Sequence, residues 1–395
     1  PSLWAVNEYG QGLRALLHRT RQLERWIDFK SYQVFEEAIT YTALQFFTQG
    51  ANETVKVVIS PEGDMGDIDW TDEALAIPAN SLRDDAEWLM ATGEDREVIE
   101  RLARDCLRLD DPKVTSGIIQ GLVTSADSVF HLEKLGVERY SCTPKGQASY
   151  EVSIEDEVMK PLVSGSDARR FEVSTTNTYL LFPYFENERG TMALKAPEDM
   201  ESQYPKAWAY LKSWEKVLRG RENGKMDRER DWWGYVYPKS LGKNKLPKLV
   251  VPRLVIQLSA FADTNGKFYL DNVDVGGVIA ASKVETNFLL AALNGSVANF
   301  VFHRISKPFQ NGYWSANKQF IAPLPIPRAD AKMQKDVGAR AKDLQERWTR
   351  RRDLLQDAEA RLSVLGRSRH GAKWLWPDLA DLDALKADAP KKLNR

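Results

Sequence analysis

The chain has 395 residues, 43% of them hydrophobic, and its 55 Lys and Arg nearly balance its 56 Asp and Glu, giving a net charge of −1. This length favours roughly two or three domains, each able to bury a core. The near-zero net charge excludes a global positive field that would draw the protein onto DNA. Any nucleic-acid surface must therefore be a local patch.

Cysteine and histidine are sparse. Cys106, Cys142 and the four histidines lie far apart in the sequence, with no paired-cysteine spacing. This pattern predicts no disulfide, no metal site and a reducing compartment, which for a soluble protein is the cytoplasm. No apolar run approaches the ~20 residues that a membrane-spanning helix needs, so no membrane partner is expected.

The first 60 residues predict the closing part of an α/β sheet. Residues 1–6 have the composition of the end of a buried strand, which predicts that a longer protein continues before them. An amphipathic helix is expected over residues 8–21, and strands over 23–29, 40–47 and 56–59. So few strands are too little sheet for an independent domain.

The rest of the chain predicts three further parts. Residues 61–112 form a connector with a helix over 81–109, capped by Ser81 and ended by Asp110-Asp111-Pro112. Residues 113–328 combine short β-like runs with helices over 204–219 and 287–304, which predicts a mixed α+β domain. Residues 329–395 contain a helix over 331–365, whose narrow apolar stripe suits a partner helix or a parent protein, and a charged tail.

Known catalytic motifs are absent from the sequence. It has no phosphate-binding P-loop, no His-Glu-x-x-His and no Gly-x-Ser-x-Gly. Asp28-Phe29-Lys30 at a predicted strand end has the form of a nuclease pair, in which carboxylates bind a metal and the lysine holds the scissile phosphate. Glu24 is the one carboxylate near enough to complete such a site. A polar strand terminus is the alternative interpretation, and the simpler one.

A basic, aromatic-rich segment covers residues 216–253. Cations on such a segment can neutralise phosphates and give salt-dependent DNA binding. The alternative is a solvated helix end beside a buried Trp232-Trp233 pair. The residues predicted to contact DNA here are Arg219, Arg221, Lys239, Lys243 and Lys245.

A second segment, residues 304–320, interleaves cations, amides and aromatics around Gly312. Amide side chains can pair with adenine edges, lysines can hold phosphates and aromatic rings can stack. An Asn-Gly step is equally typical of a turn. The residues predicted to contact DNA here are Lys307, Gln310, Asn311, Tyr313, Trp314, Asn317 and Lys318.

Short phrases follow one another along most of the chain: Tyr9-Gly10-Gln11-Gly12, Val34-Phe35-Glu36, residues 117–127, residues 160–167, Leu293-Asn294-Gly295 and Pro323-Leu324-Pro325-Ile326-Pro327. In this order they resemble the C-terminal half of γ-class adenine-N6 DNA methyltransferases. The resemblance is strongest to the Eco57I-like type IIG restriction-modification enzymes with a TaqI-like specificity domain.

The resemblance implies a fold class of α/β plus α+β. Residues 1–60 would be the last strands of a Rossmann-like methyltransferase sheet, and residues 113–328 a DNA target-recognition domain. Enzymes of this family bind S-adenosylmethionine on an N-terminal loop and methylate a flipped adenine held by Asn-Pro-Pro-Tyr. The chain contains neither motif, so no catalytic residue and no bound S-adenosylmethionine are expected in it. Phe35 matches an aromatic that packs against the flipped adenine. A core phenylalanine between two strands is the alternative interpretation.

The expected function is therefore the sequence-recognition part of an adenine-specific DNA methyltransferase from a restriction-modification or phage-defence system, inactive alone. Its expected partners are double-stranded DNA and the missing N-terminal methyltransferase segment, from the same gene or a separate chain. Two alternatives remain. One is a metal-dependent nuclease that uses Asp28 and Lys30, and the other is a structural subunit that docks through the 331–365 helix without touching DNA.

Overall fold

The computed structural model describes residues 2–30, 32–35, 41–227, 230–272 and 274–364. Within these residues the chain forms two four-stranded sheets, one six-stranded sheet and three two-stranded pairs. Short 3-10 turns lie between them, at Leu3–Ala5, Glu8–Gly10, Glu73–Leu75, Ala79–Ser81, Asp156–Val158, Leu241–Lys245 and Gln310–Gly312.

The first sheet carries a helix on one face. Its elements are α1 (Gln11–Thr20), β1 (Leu23–Asp28), β2 (Ala43–Phe47), β3 (Thr54–Ile59) and β4 (Ala76–Pro78). The strand order is β2-β1-β3-β4, with β1 parallel to β3 and antiparallel to β2. The predicted helix and strands are therefore confirmed.

The chain start and the connector differ from the prediction. Residues 3–5 form a 3-10 turn instead of a strand, because the Arg14 guanidinium binds the carbonyls of Trp4 and Asn7 and fixes that turn. The connector helix α2 (Gly93–Asp105) begins well after Ser81, and β5 (Cys106–Arg108) follows it. Trp88 is buried against Trp4 in the core of the first sheet. Burial of Trp88 holds the preceding residues out of a helix.

The middle of the chain builds the six-stranded sheet and the helices that cover it. The elements from the end of the connector onward are β6 (Thr115–Gln120), α3 (Asp127–Phe130), β7 (His131–Gly136), β8 (Arg139–Cys142), β9 (Tyr150–Ser153), β10 (Met159–Val163), β11 (Thr178–Leu181), β12 (Tyr184–Glu186), β13 (Met192–Leu194), α4 (Pro197–Gln203), α5 (Pro205–Ser213), α6 (Glu215–Arg219) and α7 (Arg221–Gly224). Trp208, Trp232 and Trp233 pack together in the core beside the six-stranded sheet. The Trp232-Trp233 pair is therefore buried, which agrees with the alternative interpretation of the basic segment.

The remaining elements build the second four-stranded sheet and its helical layer. They are β14 (Lys248–Pro252), β15 (Leu254–Val255), β16 (Phe261–Asp263), β17 (Tyr269–Leu270), β18 (Val275–Ala280), α8 (Thr286–Leu293), α9 (Ser296–Ile305), β19 (Trp314–Ser315), α10 (Lys318–Ile321), β20 (Pro325–Pro327) and α11 (Ala331–Val364). The six-stranded order is β17-β10-β11-β7-β8-β9, and the second four-stranded order is β16-β14-β18-β6. Strand β6 therefore lies at an edge.

The helix predicted over residues 287–304 is broken into α8 and α9. At the break the Asn294 side chain accepts a hydrogen bond from the Ala260 amide and donates one to the Ala260 carbonyl, both at 2.9 Å. This anchoring of the break to the residue before β16 ends α8. In the described part of the chain no single helix is long and apolar enough to cross a membrane; α8 and α9 meet that test only as a pair, bent by 61°.

Helix α11 confirms the prediction of a long C-terminal helix, and part of its apolar stripe packs on this chain. Val337, Ala341 and Trp348 contact the core that contains α8 and α9. Gln345 is buried there, and its amide group bonds both the amide and the carbonyl of Ala262. Leu344 and Leu354 of the predicted stripe stay exposed, so a partner helix could still reach them and the structural-subunit alternative stays open. The predicted tail lies outside the described residues.

Candidate nucleic-acid interface

Two lysines from distant parts of the sequence lie near Gly117 of strand β6. The Lys243 Nζ atom is 3.7 Å from the position that a Cβ on Gly117 would occupy. Lys318 lines a shallow cavity together with Thr115, Ser116 and Gly117. Both lysine side chains are exposed. The structure thus brings together two of the predicted DNA contacts at one edge of a sheet.

The turn that carries Lys243 is held from below by buried polar groups. The Asn244 side chain accepts a hydrogen bond from the Leu270 amide at 3.0 Å and donates one to the Ser240 carbonyl at 3.1 Å. The Lys248 ammonium bonds the Asn244 carbonyl at 2.6 Å and the Asp263 carboxylate at 2.8 Å. Because these contacts are buried, the turn presents its lysines from a rigid base. Lys248 itself is unavailable to DNA.

Two further lysines, one just before this turn and one at its end, are also at the surface. Lys239, which precedes the turn, is exposed. Lys245 forms an ion pair with Glu186 in which both side chains are more than a third exposed. An exposed pair of this kind contributes ~0–1 kcal/mol, so a phosphate could replace Glu186 as the partner of Lys245 at little cost.

Arg221 does not have the role that the sequence predicted. Its side chain is buried, and the guanidinium donates hydrogen bonds to four carbonyl groups, with donor–acceptor distances of 2.6 to 2.9 Å. Burial lowers the pKa of Arg221 to about 10. A guanidinium enclosed in this way cannot reach a phosphate, so the predicted DNA contact at Arg221 is wrong. The four acceptors are the carbonyls of Leu218, Thr124, Trp232 and Gly234.

Arg219 is partly engaged. It bonds Glu215 one helical turn away at 2.8 Å, and its guanidinium lies 5.4 Å from the centre of the Trp232 ring. Its side chain keeps 29% exposure. A DNA contact by Arg219 stays a prediction.

Residues 304–320 contact the first sheet. The Lys307 ammonium lies 4.6 Å from the centre of the Tyr41 ring and 5.2 Å from that of Phe309. The Tyr41 hydroxyl donates a hydrogen bond to the Pro308 carbonyl, and burial raises the pKa of Tyr41. Lys307 is therefore held at the junction between the first sheet and this segment.

The remaining predicted residues of this segment differ in access. Asn311 and Tyr313 are exposed, with Asn311 at a φ of 60° in the predicted turn. Asn317 is half-buried at the start of α10. Trp314 is half-buried, 5.0 Å from the His303 ring, and belongs to a strand paired with β15. Trp314 is thus held in the fold rather than presented for base stacking. The side chain of Gln310 lies outside the described part of the structure.

Phe35 lies in the connection between β1 and β2 with 53% of its surface exposed. The connection returns to the sheet at Tyr41, the residue that contacts Lys307 and Pro308. The structure therefore leaves the Phe35 ring accessible, in a connection that ends beside residues 304–320.

The proposed nuclease pair is an internal contact. The Asp28 carboxylate accepts a hydrogen bond from the Lys30 amide at 2.8 Å and pairs with the Lys30 ammonium at 3.2 Å. Glu24 bonds its neighbour Arg25 instead. Among the described residues, the group of side chains placed to share a metal is a different one and does not include Asp28. This geometry favours the polar strand terminus.

No family model matches the chain. In sequence it is similar to the Type II methyltransferase M.BstVI of Geobacillus stearothermophilus, with 22% identity over 218 residues. The match covers 52% of this chain and 34% of that protein, so the chain spans about a third of the relative's length.

Two solved structures are also similar. One is the type IIL restriction-modification enzyme MmeI in complex with DNA, with a TM-score of 0.48, 10% identity, and coverage of 86% of this chain and 40% of that one. The other is the type IIG restriction endonuclease BpuSI, with a TM-score of 0.39, 15% identity, and coverage of 86% and 41%. Scores below 0.5 do not establish a shared fold.

Proposed function

We propose that this chain is the DNA sequence-recognition part of an S-adenosylmethionine-dependent, adenine-N6 DNA methyltransferase, acting in a cytoplasmic restriction-modification or phage-defence system. The observation that carries the proposal is the pair Lys243 and Lys318, both exposed beside Gly117 of edge strand β6. The sequence similarity to a type II methyltransferase supports the enzyme class. Residues 113–328 would form the target-recognition domain.

The proposed division of labour follows from which side chains are accessible. Lysines on a rigid turn and at a helix start suit phosphates, which fix the protein on the duplex but carry no sequence information. Asn311 is exposed and offers both an amide donor and an acceptor, as base-edge pairing requires. Tyr313 is exposed beside it. We therefore assign positioning to Lys239, Lys243 and Lys318, and base reading to the Asn311 turn.

The first sheet presents an apolar face that suits a further segment. Leu44 and Phe46 pair across the strands with Ile27 and Arg25, so they lie on the face opposite Trp26 and its core. They are 38% and 42% exposed. Exposed apolar side chains that share one face mark contact sites for another protein segment. We propose that the methyltransferase segment, which would bind S-adenosylmethionine, packs here.

Substituting both Leu44 and Phe46 with serine is expected to weaken association with a separately produced methyltransferase segment roughly 100-fold. Burying a large apolar side chain contributes ~1.5–3 kcal/mol, and both side chains are partly exposed before docking. Methyl transfer by the mixture should fall in parallel, while the thermal midpoint of this chain alone should change by less than about 2 °C. Isothermal calorimetry and transfer of labelled methyl groups to DNA measure the two effects.

The matched control is a double serine variant at Leu135 and Val137, which are 50% and 81% exposed on the six-stranded sheet. Equal weakening by the control, or unchanged association of the Leu44 and Phe46 variant, would contradict this assignment.

In the same assay, Phe35→Ala should lower methyl transfer about 5- to 100-fold with little change in duplex binding, since a stacked ring contributes ~1–3 kcal/mol per base. Equal loss of binding would remove Phe35 from the flipped-base role.

The proposed function is tested by duplex binding and cleavage with this chain alone. Binding should depend on DNA sequence and weaken steeply with salt, without cleavage in Mg²⁺. Cleavage in Mg²⁺ that is lost in Asp28→Asn would instead support the nuclease alternative. Absence of duplex binding would support the structural-subunit alternative.

A further inference from the structure

Three potential metal ligands meet at a point that the proposed interface does not use. They are Asp127 Oδ1, His131 Nε2 and Asp271 Oδ1, which all lie within 4.8 Å of one another. His131 Nε2 is 3.8 Å from Asp127 Oδ1 and 3.9 Å from Asp271 Oδ1. Asp127 begins α3, His131 begins β7 and Asp271 directly follows β17. Three separate segments of the fold thus converge here.

Two of these atoms lack the partner that a buried polar atom requires. His131 Nε2 and Asp271 Oδ1 are both inaccessible to solvent and have no hydrogen-bond partner within the described structure. Buried side-chain polar atoms in native proteins are nearly always paired, so two unpaired atoms that face each other at 3.9 Å indicate a shared partner. Neither atom reaches the other, because a hydrogen bond needs ~2.7–3.2 Å.

The charges around this point favour a cation. Asp127, Asp167 and Asp274 all place negative charge near Asp271. Imidazole nitrogen and carboxylate oxygen are both metal-ligand atoms. A divalent cation would neutralise the carboxylates and occupy the unpaired atoms together.

The ligands are held by neighbouring backbone. Leu122 and Asp271 form a parallel bridge, and the Asp271 amide donates to the Val163 carbonyl at 2.9 Å. A Cβ on Gly121 would lie 2.5 Å from the Asp271 carbonyl carbon, so only glycine permits this approach. The Thr124 hydroxyl donates to Asp127 Oδ1 at 2.5 Å. Such supporting contacts are what orient metal ligands.

We propose that Asp127, His131 and Asp271 bind one Zn²⁺ ion, which joins the starts of α3 and β7 to the end of β17. Zinc bonds imidazole nitrogen and carboxylate oxygen at ~2.0–2.2 Å in tetrahedral geometry, which places two ligand atoms of one ion roughly 3.4 Å apart. The separations of 3.8 and 3.9 Å are about 0.5 Å wider, so a small side-chain rotation would bring these atoms onto one ion. The imidazole favours Zn²⁺ over Mg²⁺ or Ca²⁺, which take oxygen ligands. This site departs from the sequence-based expectation of no metal.

The test is Zn²⁺ binding by the chelator-treated full chain, measured by calorimetry and by hydrogen exchange. We expect one ion per chain and at least ~10-fold slower exchange of the amides of Leu122 and Asp271 when Zn²⁺ is added. Asp271→Asn should weaken Zn²⁺ binding at least ~10-fold, as ligand changes do. Asp274→Asn, a matched change at an exposed carboxylate three residues away, removes a nearby charge without removing a ligand, so it should weaken Zn²⁺ binding by less than about 3-fold.

A second variant keeps the test decisive if Asp271→Asn does not fold. Asp127→Asn alters a side chain that is 49% exposed, so the fold should tolerate it while Zn²⁺ binding weakens. No Zn²⁺ binding by the unmodified chain would overturn the proposal. So would binding that is equally tight in the Asp127 and Asp274 variants, or exchange at Leu122 and Asp271 that Zn²⁺ does not slow. None of these readouts depends on DNA.

Discussion

Arg221→Met is expected to lower the free energy of unfolding by about 3–5 kcal/mol, the largest stability effect that we predict for a single substitution. The guanidinium donates to four carbonyls, and all four lose a charge-assisted bond when methionine replaces it. These carbonyls belong to α6, to the segment before α3 and to the Trp232 turn. Arg221 therefore joins three parts of the six-stranded sheet's covering layer.

The effect is measured by urea unfolding followed by tryptophan fluorescence, since Trp232 and Trp233 lie in the same core. Arg219→Met provides the control, because Arg219 has the same side chain two residues earlier and is partly exposed. It should lower the free energy of unfolding by less than about 1 kcal/mol. If Arg221→Met proved no more destabilising than Arg219→Met, the buried role of Arg221 would be wrong.

Reversing the charge of Lys239 and Lys243 together is expected to weaken duplex binding at least ~100-fold at low salt. Each phosphate contact contributes ~0.9 to the slope of log affinity against log salt, so the slope should fall by about 2. The loss of duplex affinity should be largest at low salt, because the lost contacts are electrostatic and salt screens them. Fluorescence anisotropy over a range of KCl concentrations measures both the affinity and the slope.

The control is a double variant with the same net charge as the Lys239 and Lys243 double variant. Lys332→Glu with Lys335→Glu makes an equal change at two exposed lysines on α11, a helix to which no DNA contact is assigned. The affinity of this control for duplex DNA should fall less than ~5-fold, because only the summed charge of the protein has changed. If both double variants weakened binding equally, DNA would respond to net charge and the surface at β6 would not be the interface.

Regular elements were predictable where one periodicity dominates. Helix α1, strands β1 to β3 and the long C-terminal helix follow from apolar spacing and agree with the structure to within a few residues, whereas β4 was not predicted. The connector was not predictable, because burial of Trp88 outweighs the helical pattern before Gly93. The break between α8 and α9 depends on Asn294 binding Ala260, a contact that local sequence does not reveal.

The candidate interface shows the same limit at the level of single residues. Arg221, Lys243 and Lys248 belong to one basic segment, but the first and last are buried and only Lys243 reaches the surface. The three residues cannot be distinguished by composition, because composition does not show which basic side chains are buried in the fold. Likewise, the spacing of Asp127 and His131 is visible in the sequence, whereas Asp271 joins them only through the pairing of β17 with β10.

The most direct test of the account is selection of bound sequences from a library of random duplexes by this chain alone. The account predicts enrichment of one short motif that contains adenine, with enrichment abolished by Lys239→Glu with Lys243→Glu and preserved by Lys332→Glu with Lys335→Glu. Recovery of duplexes without any common motif, or no recovery at low salt, would contradict the claim that this chain reads DNA sequence.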